Sequence, residues 1–287
     1  MQSSEVLAVD VGGTKMAVAR VDRSGAVSWQ AEYPTPDPGS ASAEEVWSVV
    51  RRLVDRALTA GPVAACGAGC GGPMDGGDAV SPLHIPSWRR FPLRSRLADL
   101  SGVPTGVDND AKALALGEGW AGGAAGERNY VAMVVSTGVG GGIVVDGRLL
   151  DGRTGNAGHI GHLTVVPGGR PCRCGGRGCL EAEASGTALA AISGRPAAEA
   201  GSELVERTGR LVGRAVGMVA NLLDLRLATL AGSVALGFGD GFFHAARDEV
   251  AATARLPFAS GCRIEPSPLG AAAPLIGAAA VGWRVAA

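Results

Sequence analysis

One segment limits this chain more than any other. His162 is followed by Cys172, Cys174 and Cys179, with glycines between the thiols in GGRPCRCGGRGCLE. One Cys-x-Cys turn and one tight Gly-rich loop can bring three thiolates and an imidazole to a common point, the donor set of a closed tetrahedral zinc site. Whatever fold the chain adopts must therefore close residues 162–179 on themselves. An isolated Cys-x-Cys says little, but here AGHIGH upstream and Cys-Leu-Glu downstream fall within the same stretch. Four protein ligands leave no open position, so a zinc ion here is expected to be structural. Disulfides would need an oxidising compartment. The opening MQSSEVLAVDVGG lacks a basic run followed by a long apolar one, so a cytoplasmic location and a metal site are expected instead. Cys66, Cys70 and Cys262 lie among apolar and small residues and read as small buried hydrophobes.

The chain has 287 residues with a hydrophobic fraction of 46%, enough for one large domain or two lobes. Its 26 Lys and Arg nearly balance 27 Asp and Glu, leaving a net charge of -1. With no basic stripe and no apolar run of membrane-spanning length, neither nucleic acid nor a bilayer is an expected partner. The 46 glycines gather at DVGGTK, GAGCGGPMDGG, STGVGGG and PCRCGGRGC, which implies backbone that a ligand approaches closely.

Val6 to Val9 read as a buried strand, DVGGTK as a tight turn, and Met16 to Val21 as the returning strand of a hairpin. Gly12 and Gly13 can offer their amides to a phosphate, with the Thr14 hydroxyl and the Lys15 charge beside them. The spacing is not that of a Walker loop, and a plain hairpin turn is the competing reading. Asp10, ending a buried strand next to the loop, favours the phosphate cradle because a carboxylate there can orient a hydrated magnesium ion. Tyr130 to Val135 is apolar throughout, as a strand covered on both faces would be, and runs into STGVGGG before a strand at Ile143 to Val145. Two strand-turn-strand loops suggest a duplicated architecture. AEEVWSVVRRLVDRAL spaces Val46, Val50, Leu53, Val54 and Ala57 as a helix face, and Ser202 to Leu223 reads as a second amphipathic helix before a strand at Leu227 to Leu230. PLIGAAAVGWRV reads as an Ala-rich helix.

Asn109 and Asp110 close GVPTGVDND at the start of a helical stretch, Ala111 to Trp120. A helix N-terminus favours an ionised carboxylate, which can accept a proton from a hydroxyl that attacks a phosphoryl group. Asp is also a common N-cap, so position alone leaves both roles open.

DVGGTK, GPMD near residue 72, VDNDAKALALGE, STGVGGG, AGHIGH, the CxCGxxGCLE segment, LAGSVA and LGAAAPLIGAAA follow one another over nearly the whole chain. Together they resemble the sugar kinases of the ROK family, within the actin-like ATPase superfamily. The resemblance implies an α/β, two-lobed actin-like ATPase (ribonuclease H-like) fold with a zinc-binding loop. The N-terminal lobe would span 1–108, joined by a C-terminal helix 271–287. The C-terminal lobe would span 109–270 and carry the zinc segment 162–179. The implied activity is transfer of the γ-phosphoryl group of ATP, with Mg2+, to the primary 6-hydroxyl of a glucose-like hexose. Asp10, Gly12, Gly13, Thr14, Lys15, Thr137, Gly138, Gly140, Gly232 and Ser233 would bind ATP. Gly72, Asn109, Asp110, His159, His162 and Glu181 would bind the sugar, with Asp110 as base, and His162 would also join the three cysteines on zinc. A homodimer or homotetramer is implied as well. Repressors of the same family carry a winged-helix domain ahead of the kinase-like body, whereas here DVGGTK begins at residue 10, so no DNA reader is expected.

Two positions depart from the family pattern. AGHIGH has His159 where the relatives have Glu, and SPLHIPSW has His84 where they often have Asn, although Trp88 is kept. A carboxylate accepts two hydroxyl hydrogen bonds, whereas a neutral imidazole offers one donor and one acceptor. The acceptor is therefore expected to be a modified hexose, such as the amino sugar kanosamine (3-amino-3-deoxyglucose). The alternatives are a glucokinase, a cyclitol kinase, or a sugar-sensing regulatory protein with weak catalysis.

Overall fold

The computed structural model describes residues 4–37 and 39–286. The outermost ends of the expected lobes, residues 1–3 and 287, lie outside them. The chain divides into two compact units. One holds the described residues up to Ala121, Asp151–Ala157 and those from Ala271 on; the other holds Gly122–Leu150 and Gly158–Gly270.

The first unit begins with an antiparallel meander of β1 (Glu5–Val11), β2 (Lys15–Asp22) and β3 (Val27–Pro34), followed by α1 (Ala43–Leu58). α1 has the span its periodicity predicts. Ser42 and Glu45 form a reciprocal capping box, with the Ser42 N–H donating to Glu45 Oε2 at 2.8 Å. Val46, Val50, Leu53, Val54 and Ala57 are fully buried against the sheet. β4 (Cys66–Cys70), the small hairpin β5 (Met74–Asp75) and β6 (Ala79–Val80), α2 (Leu93–Ser101), β7 (Thr105–Asn109) and α3 (Asp110–Ala121) follow. The sheet order is β3-β2-β1-β4-β7, with β1, β4 and β7 parallel.

The second unit repeats the plan. β8 (Tyr130–Val135), β9 (Val139–Val145) and β10 (Arg148–Leu149) form a second antiparallel meander. After α4 (Leu180–Ala184), α5 (Gly186–Ser193) and α6 (Ser202–Leu223) come β11 (Leu227–Ala231), α7 (Ser233–Thr253) and β12 (Arg263–Pro266). The sheet order is β10-β9-β8-β11-β12, again three antiparallel strands followed by two parallel ones. The duplication suggested by two glycine loops is thus a duplication of sheet topology. β9 starts at Val139 rather than Ile143, because Gly140, Gly141 and Gly142 pair opposite Val134, Met133 and Ala132; glycines carry no periodicity from which a strand could be read.

The last helix, α8 (Ala273–Val285), belongs to the first unit. It crosses α3 so closely that a Cβ on Gly277 would lie 2.7 Å from the Ala113 carbonyl carbon, so only glycine fits there. This packing groups α3 with the first unit, and the edge between units falls at Ala121, where a lobe boundary at 108 was expected. Cys66 and Cys70 are buried as expected, whereas Cys262 is only half-buried. Among the described residues no helix is long and apolar enough to cross a membrane.

Candidate functional site

In the first unit the parallel strands β1, β4 and β7 end side by side, with Asp10 opposite Gly69 and Cys70 opposite Asn109. Ligand sites of open α/β sheets form beyond such carboxyl ends. Asn109 is the last residue of β7, and its Oδ1 accepts the N–H groups of Ala111 at 3.1 Å and Lys112 at 3.3 Å, capping α3. Asp110 opens that helix, is exposed, and accepts the Ala111 N–H at 2.8 Å. Burial, and then the nearby charge of Asp110, push the Asp10 carboxyl up to about 7, and Lys15 offsets only part of this. A cation-starved carboxylate beside a second one suits a divalent ion, so Asp10 is chemically fitted to the magnesium role.

The DVGGTK turn differs from the open cradle read in the sequence. The Gly12 N–H donates to the Lys15 carbonyl at 3.1 Å and the Thr35 hydroxyl donates to the Gly12 carbonyl at 2.7 Å, so the Gly12 amide is consumed in closing the hairpin. The Thr14 carbonyl accepts the Thr35 N–H at 2.9 Å. Lys15 heads β2, and its ammonium meets Glu32 at 2.7 Å in an exposed pair rather than turning into the loop. Gly13 lies against His84: a Cβ there would sit 2.6 Å from that of the histidine. No local pattern around His84 signals that it touches this loop. Gly72 follows β4 and is joined to Pro73 by a cis peptide bond.

In the second unit the β8–β9 turn is held from several sides. The Gly186 N–H donates to the Ser136 carbonyl at 2.7 Å, and the Thr187 hydroxyl donates to the Thr137 carbonyl at 2.9 Å. The Ser136 and Ser233 hydroxyls are 3.0 Å apart. Glu181 Oε2 accepts the Val139 N–H at 3.2 Å and lies against Gly138. Thr137, Gly138, Ser233 and Glu181 therefore surround one turn, together with Gly232, whose φ of 100° precedes α7. Gly140 is instead inside β9, opposite Val134. Ser136, Gly186 and Thr187 went unnoticed in the sequence, because only tertiary folding brings α5 to the loop.

The four expected metal ligands converge. All donor atoms of His162, Cys172, Cys174 and Cys179 lie within 4.8 Å of one another. His162 Nδ1 is 3.6 Å from Cys172 Sγ, and the Sγ atoms of Cys174 and Cys179 are 3.6 Å apart. Ligands about 2.3 Å from a tetrahedral zinc are separated by about 3.8 Å, so the cluster fits that ion. The Cys172 N–H donates to the Gly176 carbonyl at 2.8 Å, closing the turn between the thiols. Glu183, missed in the sequence, accepts the Arg170 N–H at 2.7 Å and holds the loop from below. His159 is exposed just before the short turn carrying His162, with the two ring centroids 6.0 Å apart. Use of Nδ1 on the metal would leave His162 Nε2 available to a ligand.

A sequence profile of the ROK family matches residues 6–284. The chain is 39% identical to the N-acetylmannosamine kinase of Citrobacter koseri over 249 residues, which is 81% of this chain and 84% of that one. Among solved structures it aligns with the ROK hexokinase from Thermus thermophilus at a TM-score of 0.85 and 33% identity, covering 98% of each chain. It also aligns with a ROK family glucokinase from Streptomyces griseus, solved with glucose and AMPPNP, at a TM-score of 0.84 and 28% identity over 98% of this chain and 99% of that one. The twice-used β-meander with two parallel strands is the actin-like ATPase fold of these proteins. Motifs, topology and a profile running almost end to end agree, and the chain belongs to the ROK family.

Proposed function

We propose that this chain is an ATP-dependent sugar kinase that phosphorylates the primary 6-hydroxyl of a glucose-like hexose, and that its preferred acceptor is a modified hexose such as an amino sugar. The observation that carries this reading is the Asn109–Asp110 pair at the N-terminus of α3, next to Asp10 at the ends of three parallel strands. Asn109 is fixed by its cap bonds and positions the hydroxyl. Asp110 accepts the hydroxyl proton as the oxygen attacks the γ-phosphorus, and the bond to the β-phosphate oxygen breaks to release ADP. Asp10 would hold a magnesium ion, which when bound would compensate charge on the donor phosphates. The turn residues Gly13, Thr14, Thr137 and Gly138, with Gly232 and Ser233, bind the nucleotide, while Gly72, His159, His162 and Glu181 bind the sugar. His162, Cys172, Cys174 and Cys179 would hold a zinc ion that fixes the loop and, with four protein ligands, leaves no open position for chemistry.

His159 supports the modified acceptor. An imidazole cannot accept two hydroxyl hydrogen bonds, and an unmatched polar group in a sugar site is strongly selected against. The N-acetylmannosamine kinase relative makes a 2-acetamido sugar a second candidate class. Self-association as a homodimer or homotetramer and a cytoplasmic location belong to the same proposal. Exposed Met218, Leu222, Leu256 and Phe258 on the second unit support the former. The test is ADP release from magnesium-ATP with glucose, mannose, glucosamine, kanosamine, N-acetylmannosamine and a valiolone-type cyclitol. Turnover that is strong with one modified sugar and weak with glucose is the expected result. Turnover with none of them, in protein that holds zinc and binds ATP, would overturn it.

A further inference from the structure

The chain has two lysines, and they sit in opposite environments. Lys15 is exposed in its pair with Glu32, whereas the side chain of Lys112 is only 3% exposed. A lysine is almost never so buried unless its charge is matched. Here all three ammonium hydrogens have partners: Asp108 Oδ1 at 3.0 Å, Asp151 Oδ1 at 2.7 Å and the Gly155 carbonyl at 3.1 Å.

These partners come from two separate stretches of chain. Asp108 is near the end of β7 and Lys112 in the first turn of α3, so their contact spans Asn109 and Asp110 from both sides. Asp151 and Gly155 lie in a loop that leaves the second unit and joins the first. The same loop is held by Asn156, whose Oδ1 accepts the Met74 N–H at 2.8 Å and whose Nδ2 donates to the Met74 carbonyl at 2.9 Å. The Ala157 N–H donates to the Asp151 carbonyl at 3.0 Å and closes it. Two residues beyond Ala157 along the chain is His159, followed by His162.

We propose that Lys112 is a positioning residue for the acceptor: its ammonium ties the strand end that carries Asn109 and Asp110 to the root of the segment that carries His159 and His162. The inference rests on the sugar kinase reading above. The ammonium touches no reacting atom. It fixes the Asp151–Ala157 loop, from which the chain runs on to His159, against the strand end that carries the base, and positioning of this kind affects rate and acceptor affinity together. Asp151 is the informative partner to change, because its side chain is 58% exposed and its loss leaves the buried Lys112–Asp108 pair in place.

The experiment compares full-length, zinc-loaded wild type with Asp151→Asn, Lys112→Met and the double variant, using the best acceptor from the panel. Asp151→Asn is expected to raise the acceptor KM about fivefold or more, with the ATP KM and the melting temperature nearly unchanged, and Asp151→Glu to restore part of the loss. Lys112→Met is expected to lower kcat as well, and the double variant to be no worse than Lys112→Met alone, because both changes cut one tie. Amides of residues 151–157 are expected to exchange faster with deuterium in Asp151→Asn. An unaltered acceptor KM, or effects that multiply in the double variant, would overturn the proposal, as would a lower melting temperature with unchanged kinetics. The exchange measurement needs no turnover. Faster exchange in a protein that phosphorylates no acceptor would remove the kinase reading, and the positioning role with it, while leaving the tie itself. Unchanged exchange in an active kinase would remove the positioning role alone.

Discussion

Glu183 and Arg207 form an ion pair at 2.5 Å in which the carboxylate is only 1% exposed. The other carboxylate oxygen accepts the N–H of Arg170, two residues before Cys172, so the pair couples α6 to the metal loop. Burial alone would raise the Glu183 pKa, but the Arg170 N–H and the guanidinium groups of Arg207 and Arg170 outweigh it and hold it below the usual carboxylate range. Because the folded value lies below the unfolded one, this stabilisation is present at neutral pH and is lost only as acid protonates the folded carboxylate.

Glu183→Gln is therefore expected to destabilise the protein by about 1.5 kcal/mol, the lower end for losing charge-assisted hydrogen bonds, since both arginines remain partly exposed to water. Urea unfolding at neutral pH measures it, and metal analysis of the variant should show weaker zinc retention at equal chelator concentration.

Removing the metal should separate the two ligands. A strong chelator, or Cys174→Ser, is expected to abolish sugar binding at concentrations where ATP still binds, because the donors lie in the loop of His159 and His162 rather than in the β8–β9 turn. Calorimetric titration of each ligand into metal-free protein decides this, and parallel loss of both would contradict a loop-fixing role.

Asp110→Asn keeps a side-chain oxygen that can accept the Ala111 N–H but removes the proton acceptor. Its kcat is expected to fall by about 10²–10⁴, the range for a general base, with melting temperature and zinc content unchanged. Steady-state kinetics showing turnover near that of wild type would remove Asp110 from the mechanism.

The raised Asp10 pKa has a sign that can be tested in magnesium-free buffer. Its ordinary value is 3.8 and its folded value about 7, so between them the folded state holds more protons than the unfolded. Stability should then fall as pH rises from about 4 to about 7 and level off above that. The difference in urea midpoint between wild type and Asp10→Asn should grow in favour of the variant between pH 5 and pH 8, and adding magnesium-ATP at pH 8 should narrow it.

His159→Glu is expected to improve glucose relative to the native acceptor, since the carboxylate again accepts two hydroxyl hydrogen bonds. The ratio of kcat/KM for the two sugars measures it. An unchanged ratio would make the histidine incidental to specificity.

Much of the molecule was legible because its chemistry is local. The four expected metal ligands lie within eighteen residues, and glycine-rich turns alone can close them. α1 and α6 announce themselves by an apolar face at helical spacing, and both have the predicted ends. α7 did not, because Gly237, Gly239 and Gly241 interrupt its pattern and Gly239 is itself non-helical. α2 and β7 are short, and β12 is an edge strand of four residues; none has enough periods to stand out.

The amino-acid sequence by itself determined the His/Cys cluster, the two turn loops, the base candidate at a helix start and the repeated strand-turn-strand plan, because each depends on residues close together in the chain. Only the tertiary structure decided that the Gly12 amide is consumed in its own hairpin, that His84 covers Gly13, and that Glu183 supports the metal loop. It also decided that Lys112 is buried between Asp108 and Asp151. Those outcomes depend on which distant backbone and charge a side chain meets, and a hydrogen-bond donor or an ammonium gives no sign in sequence of the partner that will satisfy it.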